Sequence, residues 1–399
     1  MRAPRLAITT AALLTLVACG EGSTPTTAPT STASTPTTNP TATPSTPTTT
    51  PTTPTSTGPV PTLPTTLLGY SDAASPLPVH FTTGGPGGPP SALDNSTPGN
   101  AITDAGATLG RVLFYDKRLS ANDQISCGSC HLQQVGFADT ARLSRGFKGG
   151  LTGRHSMSLG NARFYQNGRF FWDERAVSLE DQVLRPIQDT VEMGMTLPAL
   201  ETKLSATSFY PALFQSAFGT STITSDRIAR ALAQFVRSMT TTRSRFDAAF
   251  VGAQPNFGVL TAEEQLGQSL FAGVAGCARC HTTVAQIGDR ARNTGLDATI
   301  TDVGAGNGTF KVSSLRNVGV RSRFMHDGRF TTLDAVVEFY ATGVQNNPNL
   351  DQRLRTPNGQ VQRLNLSPTD KSAIVAFLRT LTDSTFLRDV RFSDPFPKP

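Results

Sequence analysis

Apolar residues recur at helical spacing in two widely separated stretches of this chain, and the two stretches are versions of one another. Leu109-Gly110-Arg-Val-Leu113-Phe114 and Leu266-Gly267-Gln-Ser-Leu270-Phe271 each set Leu, Leu and Phe on one helix face. Thr261-Ala-Glu-Glu264 opens the second as a capping box. Two later helices echo each other in the same way. Ile228, Leu232, Phe235 and Met239 form one apolar stripe; Ile374, Phe377, Leu378 and Leu381 form the other, with Ser367-Pro368 as cap and first helical position. The phrases Phe235-Val-Arg-Ser-Met239 and Phe377-Leu-Arg-Thr-Leu381 match position by position. A duplicated unit explains this, with its boundary near Gly252 to Val259. Strand signals are few and turns rich in Gly, Asn and Pro are many, so the expected class is all-α, in two domains at 69–252 and 253–399.

The first part of the chain has no such pattern. From Glu21 to about Thr66 it is almost entirely Thr, Pro and Ser, too poor in apolar side chains to offset the entropy of ordering a core. Residues 20–68 are therefore expected to be a disordered tether, reaching on the order of 140 Å in the polyproline conformation at about 3.1 Å per residue. A second Gly/Pro stretch, Gly84 to Pro90, is expected to lie loosely against the folded part. Ahead of the tether, residues 1–19 have the parts of a secretory signal: Arg2 and Arg5, then an apolar run from Leu6 to Val17. That run is too short to remain as a membrane span. Its end, Leu16-Val17-Ala18-Cys19, resembles the lipobox of bacterial lipoproteins, which implies a lipidated Cys19. Gly20, where an Asp would retain such a protein in the inner membrane, favours the outer membrane, facing the periplasm.

Charge adds little. The formal net charge is +6, from scattered Arg rather than a basic run, which argues against a nucleic-acid partner. The cysteines change the picture. Of five, one is Cys19 and four fall in Cys127-Gly-Ser-Cys130-His131 and Cys277-Ala-Arg-Cys280-His281. Each has the C-x-x-C-H form, two thiols spaced to add across the vinyl groups of a haem and an adjoining imidazole to ligate its iron. Two covalent haem c groups are expected. The alternatives are a thioredoxin-like pair, which needs no following His, and a zinc site pooled from the four Cys and two His.

Between the haem motifs lie Arg154-His155, Phe171-Trp172-Asp173-Glu174-Arg175-Ala176, Leu179-Glu-Asp-Gln182, Pro186-Ile187 and Glu192-Met193. Toward the end come Phe310-Lys-Val-Ser-Ser-Leu315-Arg316-Asn317 and Met325-His326-Asp327-Gly328-Arg329-Phe330. These runs resemble the signature of the bacterial di-haem cytochrome c peroxidases and their MauG relatives, over roughly residues 100 to 385. The resemblance implies two facing cytochrome c domains, an N-terminal peroxidatic haem and a C-terminal electron-transfer haem. It puts Trp172, the chain's one tryptophan, between the haems, with Gln182 and Glu192 over the peroxide-binding iron. Cleaving a peroxide needs a base for one proton and an acid to return it, a task suited to a sheltered carboxylate.

Two positions depart from the family pattern. The loop Leu143 to Gly150 lacks the histidine that closes the peroxidatic iron in reductively activated members. His155 is the nearest substitute, read first as a structural imidazole; it stands where the family has an Asn that helps hold an interdomain calcium ion, which leaves that ion in doubt. Tyr340 stands where peroxidases carry the axial Met of the second haem, as in MauG, with Met325 as the alternative ligand. Met193 and Met195 are expected to pack, and His326 to bond a haem propionate. The expected function is reduction of hydrogen peroxide to water, with electrons from a small donor such as a cytochrome c or cupredoxin. The alternatives are a MauG-like oxidase using high-valent iron on a protein or small-molecule donor, and a non-enzymatic electron-transfer cytochrome. A homodimer is compatible with this pattern.

Overall fold

The computed structural model describes residues 58–397 apart from Pro86; Cys19, the signal and most of the expected tether lie outside these residues. Among the described residues eleven α-helices follow in order: α1 Val79–Thr82, α2 Asp104–Tyr115, α3 Cys127–Cys130, α4 Leu179–Gln188, α5 Leu197–Ser205, α6 Tyr210–Phe218, α7 Ser225–Ser238, α8 Arg245–Ala248, α9 Ala262–Ala272, α10 Leu333–Glu338 and α11 Pro368–Thr380. A two-residue antiparallel pair, Phe250–Val251 with Gln254–Pro255, is the one sheet in this region. No helix of the described residues is long and apolar enough to cross a membrane.

The repeat seen in the sequence is a repeat in space. In the first half α2 crosses α7; in the second α9 crosses α11. Gly110 explains why a helix interior carries a glycine here, since a Cβ would overlap the backbone of Ala231 and crowd Phe235. Gly267 plays the same part against Ala373 and Phe377. A glycine at each crossing lets two backbones meet, at a cost of roughly 1 kcal/mol in helix propensity. Thr261 and Ser367 cap their helices as the sequence predicts, and Thr103 and Thr224 do the same in the first half: each accepts a hydrogen bond from a backbone N–H in the first turn.

Two main apolar clusters result, one built on α2, α4 to α7 and one on α9 and α11. The ends of the chain cross over between them. Phe386 and Phe392, from the C-terminal tail, sit in the first cluster, whereas Phe81, near the start, sits in the second. A single cut near residue 252 therefore does not separate the two cores, and the described residues fall within one compact unit. The near end of the expected tether also differs from expectation. Residues 58–68 lie on the body, where Arg118 donates to the Pro59 carbonyl at 2.7 Å and Thr62 N–H to that of Pro395 at 2.7 Å. Leu63 and Leu68 supply the apolar contact that the Thr/Pro run before them lacks. Gly85 and Gly87 likewise approach Val284 and Thr283.

Candidate functional site: two cavities joined at Trp172

Each half turns its C-x-x-C-H histidine the same way. His131 Nδ1 lies 2.8 Å from the carbonyl oxygen of Phe137, and His281 Nδ1 lies 3.3 Å from that of Gln286. Both acceptor residues have positive φ, 61° and 44°, which turns the carbonyls toward the rings. A serine fixes each turn: Ser158 Oγ donates to the Gly136 carbonyl at 2.6 Å, and Ser314 Oγ to that of Ala285 at 2.7 Å. With Nδ1 engaged, Nε2 is the nitrogen left to ligate a metal. Burial lowers the pKa of both imidazoles, that of His281 to about 4, keeping them in the neutral, ligating form.

Beside each histidine opens a cavity. The C-terminal one, about 1730 Å³ including its mouth, is lined by Cys277, Cys280, His281, Met325 and Tyr340. The N-terminal one, about 1460 Å³, is lined by His131, Gln182, Pro186 and Glu192. So the residues singled out in the sequence do converge, in two groups. Burial pushes the Cys127 and Cys277 thiols up to about 12, which disfavours thiolate ligands. Among the described residues no three of His, Cys, Asp or Glu come together as a metal site, so the zinc alternative finds no ligand set. A tetrapyrrole attached at each cysteine pair fits this arrangement: a neutral histidine with Nδ1 held and paired thiols on the same turn, beside a mostly apolar slot in the C-terminal half and, in the N-terminal half, a more polar cavity lined by His131 but not by Cys127 or Cys130.

Trp172 lines both cavities, as do His155 and Lys311. Its Nε1–H donates to the His155 carbonyl at 2.7 Å, and its backbone carbonyl accepts from Lys311 N–H at 2.8 Å, so both the indole and the backbone of this residue are held. His155 Nδ1 faces the carbonyls of Ala141 and Arg142 at 3.1 and 3.3 Å, and its backbone N–H donates to the His326 carbonyl at 2.8 Å. That is a structural imidazole with its Nδ1 committed. The loop Leu143 to Gly150 instead packs on the turn that carries Glu192, with Phe147 N–H donating to the Glu192 carbonyl at 3.0 Å. Burial, reinforced by Asp189 and opposed by Arg175, pushes the Glu192 carboxyl up to about 7.

The duplication extends into the site further than the helices indicate. Phe170 bridges Ala176 and Phe324 bridges Phe330, each loop opening with a left-handed residue, Phe171 at φ 67° and Met325 at φ 70°. Trp172 and His326 follow in corresponding places, each with an Asp–Arg ion pair behind it: Arg175 with Asp173, Arg329 with Asp327. The shared Asp-x-Arg spacing is the signal that could have revealed this from sequence. His326 stacks on Phe310 with ring centres 3.5 Å apart and faces the C-terminal cavity. Met193 and Met195 are core residues.

Sequence reasoning missed Lys311 and Arg321. The Lys311 ammonium is buried 3.8 Å from the ring centre of Tyr165 and donates to the Arg169 carbonyl at 3.0 Å. Burial pulls its pKa down to about 7, against the pull of Glu174, whose carboxylate is already bonded to Tyr165 and Asn167.

A family model described as di-haem cytochrome c peroxidase matches residues 104–255. The methylamine utilization protein MauG of Methylorubrum extorquens is 32% identical over 293 residues, spanning 71% of this chain and 79% of that protein. Cytochrome c551 peroxidase of Nitrosomonas europaea is 32% identical over 299 residues, spanning 72% and 81%. Among solved structures, a MauG-like protein associated with microbial copper homeostasis superposes with a TM-score of 0.66 at 30% identity, over 76% of this chain and 96% of that one.

Proposed function

The chain belongs to the di-haem cytochrome c peroxidase family, and on that footing we propose that it reduces hydrogen peroxide to water at the N-terminal cavity, with electrons relayed from the C-terminal one. The observation that carries this reading is the pairing of a histidine-bearing cavity holding a raised carboxyl, Glu192, with a second cavity sharing the wall at Trp172. Each cysteine pair with its histidine would hold a haem c, which would supply iron able to take peroxide and pass electrons.

The chain's own residues do the rest. Glu192 would accept a proton from one oxygen of the bound peroxide and return it to the other; two electrons and two protons convert the peroxide to two waters. A carboxyl near pH 7 serves both halves of that exchange. Gln182, on α4 and lining the same cavity, offers an amide to orient the peroxide. Trp172 gives the electron an aromatic way-station, held by His155 and Lys311. Pro186 lines the N-terminal cavity and offers no ligating atom, which supports an iron open to peroxide without prior reduction. Tyr340 would help hold the second haem's iron, with Met325 as the alternative, since both line that cavity. No calcium is assigned: the His155 ring is committed to two carbonyls.

Tyr340 also favours the second reading, an oxidase that draws electrons from an outside donor, because a phenolate ligand holds iron in its higher oxidation states. The test is peroxide-dependent oxidation of a reduced small cytochrome or cupredoxin by the haem-replete protein. Two donor molecules oxidised per peroxide support the peroxidase; turnover only with an organic or protein donor supports the oxidase; no turnover with any donor sinks both and leaves an electron-transfer cytochrome. Export and attachment to the outer membrane through lipidated Cys19 complete the proposal. The Cys19→Ser variant should appear in the soluble periplasmic fraction, and a wild-type protein already soluble there would refute the anchor.

A further inference from the structure

Arg321 follows a single 3₁₀ turn, Val318–Val320, and lines the C-terminal cavity. One terminal nitrogen of its guanidinium, Nη2, donates to the carbonyls of Ser314 and Arg316 at 2.9 and 2.6 Å. Its Nε is buried with no partner among the described residues. No carboxylate among these residues pairs with it, whereas Arg292 and Arg353 of the same cavity share Asp351. Burial alone pulls its pKa down to about 10, and no acid opposes that pull.

An isolated buried charge is costly and persists only when paired. Lysine could shed its proton; arginine cannot. The missing partner must therefore be an anion that enters from the cavity. Arg323 lines the cavity as well, again with no carboxylate partner among the described residues, so two arginines lack an acid where Arg292 and Arg353 are paired with Asp289 and Asp351. Two cations suit a ligand with two carboxylates, and of the two Arg321 is the one with a buried, unpartnered nitrogen. Arg321 lines the cavity together with His281, His155 and Trp172.

We propose that Arg321 binds a carboxylate of the C-terminal cofactor in a buried ion pair, holding the cofactor's reduction potential up. This rests on the reading that the cavity takes a haem. The sign follows from electrostatics: a nearby positive charge favours the reduced, less positive iron, and a cation beside the carboxylate keeps it ionised through neutral pH.

The experiment is a spectroscopic redox titration of the two haems in the wild type and in the Arg321→Met and Arg321→Lys variants, from pH 6 to 9, after haem counting. In Arg321→Met the C-terminal haem should shift to lower potential and become pH-dependent near neutrality, the N-terminal haem unchanged. Arg321→Lys should recover most of the shift, which separates charge from shape. Two haems per chain with an unmoved, pH-flat potential in Arg321→Met would overturn the inference while leaving the haem reading intact. Fewer than two haems in the wild type would overturn the reading itself. Repeating the titration with added chloride or phosphate at fixed ionic strength identifies the anion's source. A wild-type potential that follows the added salt, and stops doing so in Arg321→Met, would assign the site to a free anion and refute the cofactor carboxylate.

Discussion

Pro186 and Tyr340 hold the same place in the two halves of this protein. Each lies seven residues beyond the leucine that opens its helix, Leu179 of α4 and Leu333 of α10, and each lines the cavity of its own half. Their helices differ at this point. Pro186 sits inside α4, whereas Tyr340 sits in a π-turn, Phe339–Gly343, that prolongs α10. Such turns are frequent at functional sites because they push one side chain out of helical register. One cavity thus receives a phenol and the other a ring with no atom to donate.

Installing a ligand at the proline should close the open side. Pro186→His is expected to convert the N-terminal haem from high-spin to low-spin in the ferric protein and to slow its reaction with peroxide at least tenfold. Tyr340→Phe should make the opposite change at the second haem. Electron paramagnetic resonance reads both, and a Pro186→His protein that stays half high-spin would mean Pro186 does not face the iron.

Glu192→Gln should keep both haems and slow peroxide cleavage by about 10²- to 10⁴-fold, the range for lost acid–base assistance. In the wild type the rate should rise with pH through about 7, as the carboxyl becomes able to accept a proton, and this limb should vanish in the variant. The stability effect has the opposite sense. Because folding raises this carboxyl's pKa, the folded state is penalised progressively as pH climbs from the unfolded value to about 7. Glu192→Gln should therefore melt higher than wild type above pH 7 and no differently below the ordinary carboxylate range. An unchanged pH profile would remove Glu192 from the chemistry.

The helix crossings make a separate prediction. Gly110→Ala and Gly267→Ala should each destabilise the protein by about 1–3 kcal/mol, overpacking outweighing the roughly 1 kcal/mol gained in helix propensity. Denaturant melts of the holoprotein measure this. Stabilisation by either substitution would show that the backbones part easily at that crossing.

How much of this was legible in the sequence differs by kind of signal. The crossing helices were readable because Leu109, Leu113 and Phe114 repeat as Leu266, Leu270 and Phe271. The haem sites were readable because two thiols and an imidazole occur at fixed spacing. Trp172, Gln182 and Glu192 came from resemblance, and the geometry then brought them to one cavity. The crossed chain ends were not readable, because Phe81 and Phe392 reach their clusters through tertiary contacts that no local period encodes. Nor were Lys311 and Arg321. A cation on a turn reads as a solvated surface charge until the fold removes its water and withholds a carboxylate.

Trp172→Phe should leave the first reaction with peroxide intact and slow electron passage between the haems, since phenylalanine keeps the wall but is far harder to oxidise. Stopped-flow mixing of the half-reduced protein with peroxide separates the two steps. Equal transfer rates in variant and wild type would put the route elsewhere.

The central claim is that one cavity is open to peroxide while the other supplies its electrons through a shared wall. It is tested most directly by spectra of the ferric holoprotein before and after one equivalent of hydrogen peroxide, with haem counted on the same sample. The account predicts two haems, one high-spin and one low-spin, and a rapid change in both signals although only the high-spin site can take peroxide. Two low-spin haems that ignore peroxide, or a change confined to one haem, would contradict it.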